Sequence, residues 1–128
     1  MKFLLVALAL FATPAAATEW STPLTDLRGQ AFVDEMVPAC QREVKPDTCA
    51  PLTLGVAAAN ALSMNDPDEK DLAPREKARR GRLAERVYNG GNFDLGADDV
   101  ALIKRLMNKL YGNVVMMRAL PLLDPNDK

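Results

Sequence analysis

An apolar run from Phe3 to Ala12 sets the frame for this chain, because its fate decides how much of the chain is left to fold. Met1-Lys2 is a short basic start, Pro14 breaks the run, and Ala15-Ala16-Ala17 places small residues where a signal peptidase reads. That order matches a secretory signal peptide, with the cut expected before Thr18. A membrane anchor would need ~20 apolar residues, and this run is about half that. Thr18, not Cys, stands directly after the cut, so a bacterial lipoprotein anchor is not expected either. The reading is therefore periplasmic or secreted, with no transmembrane segment after cleavage.

Removing seventeen of 128 residues leaves 111, enough for one domain with a core of its own. The expected layout is a cleaved leader over 1–17, a flexible tail over 18–23, a domain over 24–123 and a frayed end over 124–128. Loss of Lys2 leaves 15 basic residues against 17 acidic ones, so no net charge advertises nucleic acid or a membrane surface. The two cysteines, Cys40 and Cys49, are separated by eight residues. In an exported chain such a pair reads as a disulfide. A metal or redox role is the alternative, but C-x-x-C spacing and His ligands are both missing.

Hydrophobic periodicity predicts a mainly α domain, a small bundle of about four short helices. A minor two- or three-stranded β element is expected near its N-terminus. Leu24 to Val33 alternates loosely around Gly29, as two short extended pieces or a short helix would. Residues 34–51 read as an irregular loop, although Asp34 to Arg42 could hold a helical turn or two. Thr53 is a plausible N-cap for an Ala-rich helix ending near Leu62. A polar connector containing Pro67 follows, then a helix from Pro74 to Tyr88, terminated by Asn89-Gly90-Gly91. Residues 92–95 read as extended, with the N-terminal pieces as a possible partner. The clearest helix runs from Ala97 to Tyr111, with Val100, Ile103, Leu106, Met107 and Leu110 on one face. A last short helix spans Asn113 to Leu120, before Pro121.

The missing residue types constrain chemistry. The chain has no His, which removes the commonest general base and metal ligand. Its serines, Ser21 and Ser63, lie in no nucleophile elbow, and no glycine-rich phosphate loop occurs. Around Gly91 oxygen ligands cluster, but Ala97 stands where a calcium loop needs its bidentate Glu. No cofactor, no metal and no catalytic residue is expected. A carboxylate-dependent hydrolase of envelope polymers is the alternative, with Asp94, Asp98 and Asp99 as its cluster. A structural subunit of an assembly is a third reading.

The most specific positive feature is on the second helix. Arg75, Arg79, Arg82 and Arg86 fall at i, i+4, i+7 and i+11, a stripe about 60° wide. Leu83, Ala84, Val87 and Tyr88 lie on the other side. Guanidiniums suit bidentate contact with carboxylates. The stripe is either a solvated face, pairing locally or with the acidic connector, or a docking site for an acidic protein partner. Nucleic acid fits poorly with export and a negative domain. Val114-Val115-Met116-Met117 is either core or an adaptable partner surface. Trp20 either anchors the new N-terminus or stays mobile.

Three segments together resemble a group of small uncharacterised proteins encoded in bacteriophage and prophage genomes. They are Asp26 to Gln30, Leu52 to Leu62, and Phe93 to Lys104 followed by Tyr111-Gly112. The resemblance covers most of residues 24–123 through short motifs. The leader and the cysteine-bearing stretch depart from that group's pattern. It implies a fold and a mobile-element origin, and carries over no site residue.

Overall fold

The computed structural model describes residues 17–35 and 49–126. Four helices follow one another in it: α1 (Leu54–Ser63), α2 (Pro74–Tyr88), α3 (Ala97–Leu110) and α4 (Asn113–Leu123). A short 3-10 turn over Pro67–Glu69 lies between α1 and α2. The mainly helical architecture expected from periodicity is the one observed. Cys40 and the residues around it fall outside the described residues, so the expected bridge to Cys49 does too.

Helix α1 is the hub. Thr53 caps it, its hydroxyl oxygen accepting from the Val56 N–H at 3.1 Å, which satisfies one of the free first-turn donors. Leu54, Gly55, Ala57, Ala58, Ala59, Ala61 and Leu62 are all buried, so the helix is enclosed on nearly every side. Its small alanines let neighbouring helices come close. Helices α2 and α3 both pack on it, and α4 packs on α3. Ile103, Leu106 and Met107 supply α3's part of the core, while Val115, Met116, Ala119 and Leu123 supply α4's.

Helix α4 runs three residues beyond the expected end, through Pro121 to Leu123. Proline lacks an N–H, but here it sits in the last turn, where few hydrogen bonds remain to lose. Burial of Leu123 and an Asp124 N–H to Leu120 carbonyl bond of 2.9 Å hold that turn. Met117 is exposed, whereas Val115 and Met116 are buried, so the apolar Val114–Met117 stretch divides between surface and core.

The expected β element takes a reduced form among the described residues: isolated antiparallel bridges and no sheet. Residues 23–25, 31–33 and 51–53 each bridge the other two, through Pro23 and Thr53, Thr25 and Ala31, and Val33 and Pro51. Three backbone bonds close the triangle. Leu24 N–H donates to Leu52 O at 2.9 Å, Leu52 N–H to Phe32 O at 2.6 Å, and Phe32 N–H to Leu24 O at 2.9 Å. Gly29, at φ +82°, makes the turn between the first two pieces. Arg118 of α4 reaches that turn, donating to the carbonyls of Thr25 and Asp26 at 3.3 and 3.2 Å.

The segment expected as a flexible tail is instead a strap. Trp20 is 1% exposed, its indole N–H donates to the Phe93 carbonyl at 2.9 Å, and its ring stacks on Phe93 at 5.5 Å. The Trp20 N–H donates to Gly91 O at 2.9 Å, and Gly55 N–H donates to Trp20 O at 2.8 Å. Burying an indole while satisfying its N–H is favourable enough to hold a chain end in place. Residues 92–95 do pair with it, through the Glu19–Asn92 bridge.

The strap, α1 and α2 meet at Gly55. A Cβ there would collide with the Val87 carbonyl oxygen and press on the Trp20 carbonyl oxygen. Gly81, in the middle of α2, has open space instead. Gly55→Ala is therefore expected to destabilise the fold by about 1–3 kcal/mol, because the collision outweighs the gain in helix propensity. Gly81→Ala is expected to stabilise it by about 0.5–1 kcal/mol. Urea unfolding of the two variants beside the parent checks both signs.

Candidate binding surface on the second helix

Helix α2 starts at Pro74, whose fixed φ suits a first-turn position, and ends where Gly90 and Gly91 turn to positive φ. Its buried line is Arg80, Leu83, Ala84 and Val87, spaced i, i+3, i+4 and i+7. Tyr88, expected on the packed side, is 60% exposed, because it lies about 90° around the helix from the centre of that line. Arg80 lies in the line instead.

The four arginines of the stripe have different surroundings. Arg79 is engaged twice, with Glu76 at 2.8 Å and with Asp99 of α3 at 2.6 Å. These bonds hold its guanidinium charged, pushing its pKa further up. Arg86 lies over the Phe93 ring, its guanidinium carbon 4.3 Å from the centroid, a favourable stacking arrangement for a delocalised cation. Arg75 and Arg82 are exposed and have no hydrogen-bond or ion-pair partner among the described residues. Two of the four guanidiniums thus serve the fold, and two project outward.

Behind the stripe is a charge network that the sequence pattern missed. The Arg80 side chain is 10% exposed and donates to Glu69 at 2.6 Å and to Glu76 at 3.3 Å. Glu69 also takes Arg105 of α3 at 2.8 Å. The Asp66 side chain, 2% exposed, accepts from Lys109 at 2.7 Å and caps the 3-10 turn through the Asp68 N–H at 3.0 Å. The acidic connector is therefore clamped between α2 and α3. The local signal was Arg80 standing in phase with Leu83, Ala84 and Val87. An arginine in such a register with an acidic run just upstream reads as a paired, buried cation.

These contacts set the carboxyl pKa values. Glu76 is lowered from 4.5 to about 2, chiefly by the Arg79 hydrogen bonds, with Arg80 adding to them. Glu69 is lowered by Arg80 and then Arg105, and Asp66 by Lys109 first. Among the described residues no buried side-chain polar atom lacks a partner.

The other candidate positions are occupied differently. Asp94 accepts from the Thr18 N–H at 3.2 Å, Asp99 holds Arg79, and Asp98 is exposed in the first turn of α3. A cleft of about 580 Å³ opens between the end of α1, the connector and α2, with Arg80 on its wall. That guanidinium is already committed to Glu69 and Glu76. No group of residues that could hold a metal ion occurs among the described residues. None of their helices is long and apolar enough to cross a membrane.

Comparison with protein-family models, characterised proteins and solved structures finds no match to this chain.

The lowered carboxyl pKa values carry a pH dependence with a defined sign. A depressed carboxylate contributes stability that is complete above its unfolded pKa and is lost as pH falls towards its folded pKa. The melting temperature is expected to fall between about pH 5 and pH 2, as Asp66, Glu69 and Glu76 are protonated. Glu76→Gln should lower the melting temperature at neutral pH and make that acid limb shallower. Thermal melts across this range check both.

Proposed function

We propose that the mature chain is an exported, non-enzymatic binding protein of the cell envelope. It docks an acidic protein partner through the outer face of α2. The observation carrying this reading is the pair Arg75 and Arg82, exposed and unpartnered among the described residues, while Arg79, Arg80 and Arg86 are engaged. Seven residues along a helix separate the two by about 10 Å, or two turns. That spacing fits carboxylates at matching positions on a partner helix or strand. Arg79, still 44% exposed beside its carboxylate partners, extends the same face.

The stripe has a firm backing. The ion pairs of Arg80 and Arg79 brace α2 against the connector and α3, so the outward guanidiniums project from a positioned helix. Preorganised cations lose less freedom on binding than cations on a loop. The resemblance to phage and prophage proteins would make this an envelope factor of mobile-element origin, one that blocks infection or modulates lysis.

Affinity capture of tagged mature protein from a native periplasmic extract tests the docking. A partner held by the parent should be retained by Lys77→Gln, which removes an exposed cation of α2 on the side away from the stripe. It should be lost, or weakened about tenfold or more and further by salt, with Arg75→Gln and Arg82→Gln combined. Equal capture by all three proteins would return the stripe to a solvated face.

Export carries with it a Cys40–Cys49 bridge. Closing that short loop constrains the unfolded chain by about 2.5–3 kcal/mol. The exported protein should therefore show no reactive thiol, and reduction should lower its unfolding free energy by about that amount. Free thiols in protein isolated under acid quench would overturn the bridge.

A further inference from the structure

The residue at which the leader is expected to be cut has its backbone nitrogen against a carboxylate. Thr18 N lies 3.2 Å from Asp94 Oδ1, and the Thr18 hydroxyl lies 3.4 Å from the same oxygen. The Thr18 carbonyl accepts from the Phe93 N–H at 3.1 Å. Two residues on, Trp20 is buried against Phe93. From Thr18 onward the strap is held entirely by partners within the described residues, and the first of them is an anion.

We infer that Asp94 is the receptor of the mature N-terminus: cleavage after Ala17 turns a hydrogen bond from the Thr18 amide to the Asp94 carboxylate into an ion pair between that carboxylate and the Thr18 α-ammonium. The inference rests on the export reading. A signal peptidase hydrolyses the Ala17–Thr18 amide with one water. The Ala17 carboxylate leaves with the leader, and the new amine on Thr18 takes up a proton at neutral pH. The amide N–H already meets an ionised acceptor, and the ammonium adds the attraction of a full positive charge. Processing thus tightens the strap at its first residue, on the same segment that holds Trp20.

The neighbouring charges favour this pairing without masking it. Glu19 follows on the strap, Asp94 faces the amine from the 92–95 segment, and Arg86 of α2 lies over the Phe93 ring. The range from about pH 6 to pH 9.5 brackets the titration of an α-amino group. An ammonium held by a carboxylate has a raised pKa. Its contribution is complete below the unfolded amine's value and disappears as pH rises through the folded one.

The test uses protein exported to the periplasm, as parent and as Asp94→Asn, which keeps an oxygen acceptor but removes its charge. Intact mass first fixes the N-terminus. A start at Thr18 is expected, and any other start overturns the inference, whatever the result of partner capture. NMR titration should then place the parent's Thr18 amine above the usual ~7.7–8.0, and the variant's back near it. The parent should melt about 1–4 °C higher than Asp94→Asn at about pH 6, with the gap closing by about pH 9.5. An unshifted amine, or a gap that persists at the higher pH, would show that the charge on the Thr18 amine adds nothing to its contact with Asp94, and would overturn the inference.

Discussion

The close approach of three backbones at Gly55 is the constraint on which the rest of the structure depends. Helix α1 can be enclosed by the strap, α2 and α3 only because its first turn carries no side chain at that position. The Gly55 N–H serves the strap's Trp20 carbonyl, and the space above its Cα is filled by the Val87 carbonyl of α2. The alanines that follow extend the same logic along the helix. A core built on small residues gains less from each side chain it buries, and makes up for it by bringing backbones and neighbouring large residues together.

Around this apolar hub runs a polar clamp. Asp66, Glu69 and Glu76 are distributed between Lys109, Arg105, Arg80 and Arg79, which joins the connector, α2 and α3. Exposed pairs contribute little singly, but a network anchored by a largely buried arginine and a buried aspartate defines one relative placement of the two helices. The clamp also divides the labour on α2. One side of the helix turns its charge inward, which leaves Arg75 and Arg82 as the arginines of α2 with no ion-pair, hydrogen-bond or ring partner among the described residues.

Much of this was legible in the sequence. Helix positions followed from apolar spacing, the Thr53 cap from its residue type, and the end of α2 from its paired glycines. The phase of the arginine stripe was legible too, since 100° per residue needs only counting. The occupation of Arg79 and Arg86 was not, because Asp99 and Phe93 are brought to them by the turn between α2 and α3. Arg80 was missed because an arginine is ordinarily read as solvent-facing, whatever its register. Trp20 could not be placed from its neighbours in sequence, since its partner Phe93 is 73 residues away. Of the three-piece junction, the two extended pieces around the Gly29 turn were legible from their loose alternation, whereas the third, 51–53, was not, because it meets each of the others in one bridge, too short to impose a period of two.

That long separation has a kinetic side. The contacts of α2 with its neighbours close over a few tens of residues, whereas the strap must find Phe93 across most of the chain. Contacts that close short loops form sooner than those that close long ones. The helices can therefore assemble before the strap docks, and docking is the step that sequesters Trp20. It is the chain's one tryptophan, so the molecule carries a built-in fluorophore whose signal reports the closing event of its own folding.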